Sequence, residues 1–259
     1  MKFLSQTALI QWVRQAGHLW LFLDYDGTLA DFAPTPAHIE PNPKLISLLK
    51  KLARKPTIRI TILSGRRLQD IQTLLPIQGI FLAGTYGIEF VTPAGEIIHR
   101  IKYDDIRPFL ETIKPQWGQL ISGKRGFFLE DKGWTLALHA RFADDLEAEQ
   151  VIAQAQDIAK SKSLPDILRI LHGNEFLEIA PSLANKRETV TYLLSQYPFP
   201  DAQLLYFGDD AHDEEAFSVI HANHGAAVKV LQPTQDSPTS ADFCFHSPIE
   251  ALHWLEQLI

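Results

Sequence analysis

Asp24 and Asp26 stand two residues apart, directly behind the apolar run that opens "LFLDYDGTLADF" (21–32). Two other apolar runs end in the same way: Ser64 closes "TIRITIL" (57–63), and Asp209 and Asp210 close "LLYFGDD" (204–210), with Asp213 three residues on. A carboxylate can attack phosphorus and form an acyl-phosphate, which splits one hard displacement into two easier ones. A second carboxyl two residues away can protonate the departing oxygen and later deprotonate water. The spacing suits one of the pair as nucleophile and the other as general acid and base, and its strand-end placement makes Asp24 the candidate nucleophile and Asp26 the candidate acid and base. Several carboxylates brought together repel and raise one another's pKa values. A hard divalent cation removes that conflict, and Mg²⁺ suits a site of a few oxygens completed by water and substrate phosphate. Gly27 allows the sharp turn that must follow the two acids.

The elements that hold these residues are legible as an α/β pattern. "LWLFLD" (19–24), "TIRITIL" (57–63), "GIFLAG" (79–84) and "QLLYFGDD" (203–210) are the continuous apolar runs expected of strands covered on both faces. Helical spacing separates them. "PNPKLISLLKKLARK" (41–55) places Leu45, Leu48, Leu49 and Leu52 on one face, with Asn42 as N-cap and Pro43 at the first helical position. "RLQDIQTLL" (67–75), "KRETVTYLLSQ" (186–196) and "SPIEALHWLEQL" (247–258) are further helices, and the N-terminal "MKFLSQTALIQWVRQ" reads as a helix packed on the core. Strands alternating with helices imply a parallel sheet, whose ligands gather beyond the carboxyl ends of the strands. Asp24, Ser64 and Asp209 all fall at such ends.

The middle of the chain has a different character. "GFFLEDKGWTLALHARF" (126–142) reads as two strands around an Asp-Lys-Gly turn, and "DDLEAEQVIAQAQDIAKS" (144–161) as a helix. "DILRILHGNEFLEIAP" (166–181) reads as a second hairpin with a Gly-Asn turn. The expected organisation is an α/β core of residues 1–105 and 183–259 with an inserted α+β module, 106–182.

"DYDGT", "ILSGR", "NK" at 185–186 and "GDDAHDE" at 208–214 resemble the four motifs of the haloacid dehalogenase superfamily, in that superfamily's order. The resemblance spans nearly the whole chain and implies a Rossmann-like core with the insert acting as a cap. Within the superfamily, "LDYDGTLADFAPTPAHIEPNP", "LALHARFAD", "LEIAP" and "GDDAHDEEAF" are similar to the trehalose-6-phosphate phosphatase family. Two positions depart from that family's pattern: Arg187, not glycine, follows Lys186, and Tyr86 in "GTYGIEF" stands where the family often has histidine. The resemblance implies that Ser64 and Lys186 grip the transferring phosphoryl group. It implies that Asp24, the backbone carbonyl of Asp26 and Asp209 hold Mg²⁺, with Asp210 and Asp213 as ligands or supports. Arg66 is expected to reach substrate or to form a structural ion pair. On the cap, Arg141 and Glu178, with Lys132 or Glu130, are expected to face the sugar.

Simpler roles compete for several of these residues. Ser64 is also a candidate N-cap, Thr28 a candidate turn-bonding residue, and the acids of 209–215 a candidate cap for the next helix. His221 and His224 lack a third nitrogen or sulfur partner nearby and read as loop or capping residues. A net charge of −7 argues against nucleic-acid and anionic-membrane partners, and the lone Cys244 reads as a buried strand thiol in a reducing compartment. The N-terminus has no long apolar stretch with a small-residue cleavage site, and a cytoplasmic location is the expectation. The expected partner is a small sugar phosphate: trehalose 6-phosphate by resemblance, with sucrose phosphate, a glycosyl-phosphoglycerate or a hexose phosphate as alternatives. A phosphomutase and a catalytically silent sugar-phosphate sensor are the competing classes of function.

Overall fold

The computed structural model describes residues 4–31, 40–173, 175–231 and 238–259. The first stretch of core contains α1 (Gln6–Arg14), β1 (His18–Leu23), α2 (Pro43–Ala53), β2 (Ile58–Leu63), α3 (Leu68–Leu74), β3 (Phe81–Gly84), β4 (Glu89–Val91) and β5 (Ile97–His99). The insert contributes α4 (Tyr103–Leu120), β6 (Phe128–Asp131), β7 (Leu136–His139), α5 (Asp145–Ser161), β8 (Leu168–Gly173) and β9 (Phe176–Pro181). The chain returns with α6 (Lys186–Gln196), β10 (Ala202–Gly208), α7 (Ala211–Ala222), β11 (Ala226–Val230), β12 (Phe243–Phe245) and α8 (Pro248–Glu256).

Eight strands form the core sheet in the order β12-β11-β10-β1-β2-β3-β4-β5. From β12 to β3 every pairing is parallel, and β4 joins antiparallel. The order runs outward in both directions from the β1–β10 pair, where Leu23 lies opposite Phe207. That is the switch point at which parallel sheets open a crevice for ligands. Alternate residues of β1 serve opposite faces. Leu19, Leu21 and Leu23 join Leu45, Leu49, Ile71 and Trp254 in one core, while Trp20 and Phe22 join Val190, Leu193, Phe217 and Ile220 in the other. Nine-residue α1 would not persist alone. Burying Leu9, Ile10 and Val13, at roughly 1.5–3 kcal/mol for each fully buried aliphatic side chain, holds it in place. Helix α2 begins as its sequence requires: Asn42 Oδ1 accepts from the amides of Lys44 and Leu45 at 3.0 and 3.2 Å, and Pro43 is the first helical residue.

The insert builds its own four-stranded antiparallel sheet, β6-β7-β9-β8, with Leu136, Leu138, Leu177 and Ile179 packed against Leu110, Trp117, Val151 and Ala155 of α4 and α5. A bidentate Arg107–Asp131 pair with both bonds at 2.7 Å, joined by Lys114, pins α4 to β6. The chain divides into two compact units, residues 1–98 with 185–259, and residues 99–184. The division falls a few residues outside the expected 106–182: α4 begins at Tyr103, and the second unit continues past β9 to Ala184.

Helix α4 has no clear signal in the sequence, since Pro108 and Pro115 lie inside it. Its buried face of Ile106, Leu110, Ile113 and Trp117 overrides that penalty, and Trp117 Nε1 donates to the Ala155 carbonyl at 2.9 Å. Cys244 is half-buried rather than buried: β12 is an edge strand, and only Phe243 and Phe245 turn inward. The expected Gly-Asn turn includes Asn174, and most of the proline-rich stretch is 32–39; both lie outside the described residues. Among the described residues, no helix is long and apolar enough to cross a membrane.

Candidate active site

Asp24 follows the last residue of β1, and its amide donates to the Phe207 carbonyl on β10 at 3.0 Å. Asp209 follows the last residue of β10. Parallel pairing thus carries the two acids to the same rim, where both are buried. Gly27, at φ 83°, reverses the chain just after Asp26. The Thr28 hydroxyl then donates to Asp209 Oδ1 at 3.1 Å. Thr28 therefore orients an acid 181 positions away, a role beyond the turn bond expected of it. Asp209 Oδ2 is left buried, with no hydrogen-bond partner among the described residues.

Lys186 opens α6, whose N-cap Asn185 accepts from the Glu188 amide at 2.7 Å. Only 2% of the lysine is exposed. Its Nζ donates to Asp24 Oδ1 at 2.8 Å and to Asp213 Oδ1 at 2.6 Å, and lies 3.7 Å from Asp210 Oδ1. Burial opposes the ammonium charge, but Asp210, Asp213 and Asp24 outweigh it and hold the pKa well above normal.

Asp210 and Asp213 divide the labour that the sequence left unordered. Asp213 Oδ1 accepts from Lys186 and from the Tyr206 hydroxyl, at 2.8 Å for the latter; Oδ2 accepts from the amides of Asp209 and Asp210 at 3.0 and 3.1 Å. With four donors its acceptor capacity is filled, and it acts as an anchor of the loop. Asp210 is the N-cap of α7 and accepts from the Asp213 amide at 3.0 Å, completing a reciprocal capping box. A Cβ at Gly208 would fall 2.1 Å from Asp213 Cγ, so only glycine lets that carboxylate tuck beneath the strand end.

The electrostatics record the crowding. Burial pushes Asp24 well above the carboxylate range; Lys186 pulls it down, and Asp213, Asp209 and Asp210 push it up again. Burial and Asp210 raise Asp209 to about 6. Burial raises Asp213 to about 7 against the pull of Lys186. Asp210 is held below its normal value: burial opposes its charge, but Lys186 and the Asp213 hydrogen bonds prevail. One oxygen from each of Asp24, Asp209 and Asp213 lies within 4.8 Å of the others. The orphaned Asp209 Oδ2 and the all-oxygen donor set fit a hard divalent cation held by Asp24 and Asp209.

Asp26 and Arg66 form a bidentate pair, Nε to Oδ2 and Nη2 to Oδ1, both at 2.7 Å. Of the two roles expected for Arg66, this geometry displays the ion pair. Ser64 is buried at the end of β2, and its Oγ accepts from the Arg66 amide at 3.1 Å. Ser64 caps that turn but not α3, whose N-cap is Arg67; Glu89 accepts from the Leu68 amide instead. Glu214 also does more than cap α7. It accepts from Thr239 and from Ser240, and Lys229 Nζ lies 3.6 Å away. His221 pairs with Asp242 at 2.9 Å.

In the second unit, Glu178 on β9 is buried and accepts from the Thr135 hydroxyl at 2.6 Å and from Lys132 Nζ at 3.2 Å. Glu130 bonds His139 at 3.0 Å and lies 3.8 Å from Lys132. Arg141 is exposed in the turn after β7. A cavity of about 910 Å³ near the amino end of β3, lined by Lys50, Arg54, Gln72 and Gln78 among others, holds none of these residues.

Asp24 and Asp213 share Lys186, with Ser64 at a neighbouring strand end, at the switch point of a parallel sheet whose chain carries an antiparallel insert, the fold class of haloacid dehalogenase-like hydrolases. The fold agrees with that class: a haloacid dehalogenase-like hydrolase from Bacteroides thetaiotaomicron superposes with a TM-score of 0.62 at 14% identity, over 93% of this chain and 100% of that one. The C-terminal domain of C. albicans trehalose-6-phosphate phosphatase superposes at 0.81 with 21% identity, over 99% and 97% of the two chains. The trehalose-phosphatase family profile matches residues 22–248, and the chain belongs to that family. It is 31% identical over 217 residues to a probable trehalose-phosphate phosphatase of Sinorhizobium fredii, covering 84% of this chain and 79% of that protein. It is 28% identical over 243 residues to the Mycobacterium marinum trehalose-phosphate phosphatase, covering 92% of this chain but only 60% of that protein.

Proposed function

We propose that this protein hydrolyses trehalose 6-phosphate to trehalose and inorganic phosphate through an aspartyl-phosphate on Asp24, with Mg²⁺ as cofactor. The observation that carries the reading is the Lys186 ammonium bridging Asp24 and Asp213 beside the orphaned oxygen of Asp209. The preference for trehalose 6-phosphate over other sugar phosphates draws on the family and on the names of its relatives.

Asp24 attacks phosphorus, the ester P–O bond breaks, and the leaving alkoxide takes a proton from Asp26. Asp26 then takes a proton from water as that water attacks phosphorus, which frees phosphate and restores the Asp24 carboxylate. Each Asp26 oxygen keeps a lone pair beside its Arg66 bond, so Arg66 holds that carboxyl in place while leaving it able to exchange a proton. Ser64 and Lys186 hold the equatorial oxygens as charge moves between them. Lys186 also favours the ionised, nucleophilic form of Asp24. Asp24, Asp209 and the backbone carbonyl of Asp26 would hold the Mg²⁺. When bound, it supplies positive charge that keeps the acids ionised and offsets the charge of the phosphate.

The test is release of phosphate from a panel of sugar phosphates with and without Mg²⁺. The reading expects trehalose 6-phosphate to lead the panel. Preference for another member, or turnover only with a bisphosphate activator as a mutase needs, would replace it.

A further inference from the structure

Thr85, Tyr86 and Gly87, just after β3, all have positive φ, at 48°, 53° and 89°. Left-handed backbone is costly for a non-glycine residue, and two such residues stand in sequence here. The turn is held firmly enough to bear that. The Thr85 amide donates to the Arg66 carbonyl at 2.6 Å, the Tyr86 amide to the Ser64 carbonyl at 2.9 Å, and Thr189 Oγ1 donates to the Tyr86 carbonyl at 2.7 Å. A turn alone does not call for tyrosine, since glycine or asparagine takes this conformation at less cost.

What the tyrosine adds is a ring at the rim. A Cβ at Gly65 would meet Tyr86 Cζ at 2.8 Å and its hydroxyl at 2.9 Å, so the phenol lies on the backbone beside Ser64. On another side the ring packs on the imidazole of His212, with centroids 5.4 Å apart. His212 lies between Asp210 and Asp213 in the first turn of α7. The aromatic pair therefore spans from the Ser64 loop to the acidic loop, across the rim that would hold the phosphate. Both residues remain partly exposed, unlike Asp24, Asp209 and Asp213.

From this strained placement we infer that Tyr86, braced by His212, is a specificity-determining residue that packs against the sugar ring carrying the phosphate. A pyranose offers an apolar C–H face to an aromatic ring and hydroxyls to the phenol, which is the amphipathic match that tyrosine provides. The inference rests on the sugar-phosphate reading above and assigns the contact nearest the scissile bond.

Tyr86→Asn removes the ring while suiting the left-handed turn, and Tyr86→Phe keeps the ring. With trehalose 6-phosphate, Tyr86→Asn should lower kcat/KM about ten-fold, with Tyr86→Phe within about three-fold of the parent. Inhibition by inorganic phosphate, which probes the phosphoryl site alone, should be unchanged in both. An undiminished kcat/KM in Tyr86→Asn overturns the inference. So does an equal loss of phosphate inhibition, which would reduce Tyr86 to a support for the Ser64 loop. If the parent prefers another sugar phosphate, the trehalose reading falls and the same comparison on that substrate decides Tyr86. If the parent accepts no sugar phosphate, both fall.

Discussion

Lys186→Met tests the electrostatic core of the site through stability, independently of turnover. The parent ammonium is buried and bonds Asp24 and Asp213 at 2.8 and 2.6 Å. Removing one partner of a buried ion pair costs about 3–5 kcal/mol, because a charge is left without compensation. Asp213 keeps the Tyr206 hydroxyl and two backbone amides, so most of the loss falls on Asp24. Methionine refills much of the volume with apolar contact. The low end of the range, about 3 kcal/mol at pH 8, is therefore expected. The pH dependence has a definite sign. Burial already raises Asp24, and deleting Lys186 removes the first influence that lowers it. A carboxyl whose folded pKa lies above its unfolded value stabilises fully below the unfolded pKa and loses that contribution as pH rises through the folded one. The deficit of the variant relative to the parent should thus be largest at pH 8 and smaller at pH 5. Urea unfolding of the metal-free proteins, followed by tryptophan fluorescence, measures it as a midpoint shift of about 1 M at pH 8, for a slope near 3 kcal/mol/M. Equal deficits at both pH values would reduce Lys186 to a packing residue and refute the argument.

Two further outcomes concern metal and sugar. Chelation should abolish turnover and Mg²⁺ restore it, with Ca²⁺ a poor substitute because its larger, looser coordination misplaces the phosphate; full activity in a metal-free preparation contradicts this. Glu178→Gln, which keeps an acceptor for Thr135, should lower kcat/KM for trehalose 6-phosphate by about one to two powers of ten while sparing a small aryl phosphate. Equal losses on both substrates would assign Glu178 to the fold through its Thr135 and Lys132 bonds.

The parallel strands β1, β2, β3 and β10 could be read from the sequence because burial on both faces leaves an unbroken apolar run, and the acids behind β1 and β10 mark their carboxyl ends; parallel β11 could not, since Lys229 interrupts its short run. Short β4 and β5 leave no such run, and Pro108 and Pro115 hide α4 until the packing of Ile106, Leu110, Ile113 and Trp117 is seen. Within the candidate site, the grouping of Asp24 with Asp209 follows from strand order alone. Lys186 is different, since a lysine at a helix start reads as solvated, and only the motif resemblance singled it out. The Thr28–Asp209 bond had no signal and the Tyr206–Asp213 bond almost none, because each depends on register between elements. A tyrosine inside the otherwise apolar "LLYFGDD" is the one trace of the second. The sequence marks Asp213 as a ligand or a support, and only the structure shows the four donors it serves.

The central claim is covalent attachment of phosphate to Asp24. Acid quenching of the working enzyme within one turnover, followed by mass spectrometry of the peptide that carries Asp24, tests it directly. A phosphoryl group on Asp24 that disappears as substrate is exhausted, and that never forms in Asp24→Asn, is the predicted result. Turnover of trehalose 6-phosphate with Asp24 unmodified at every quench time, or sustained by Asp24→Asn, would contradict it.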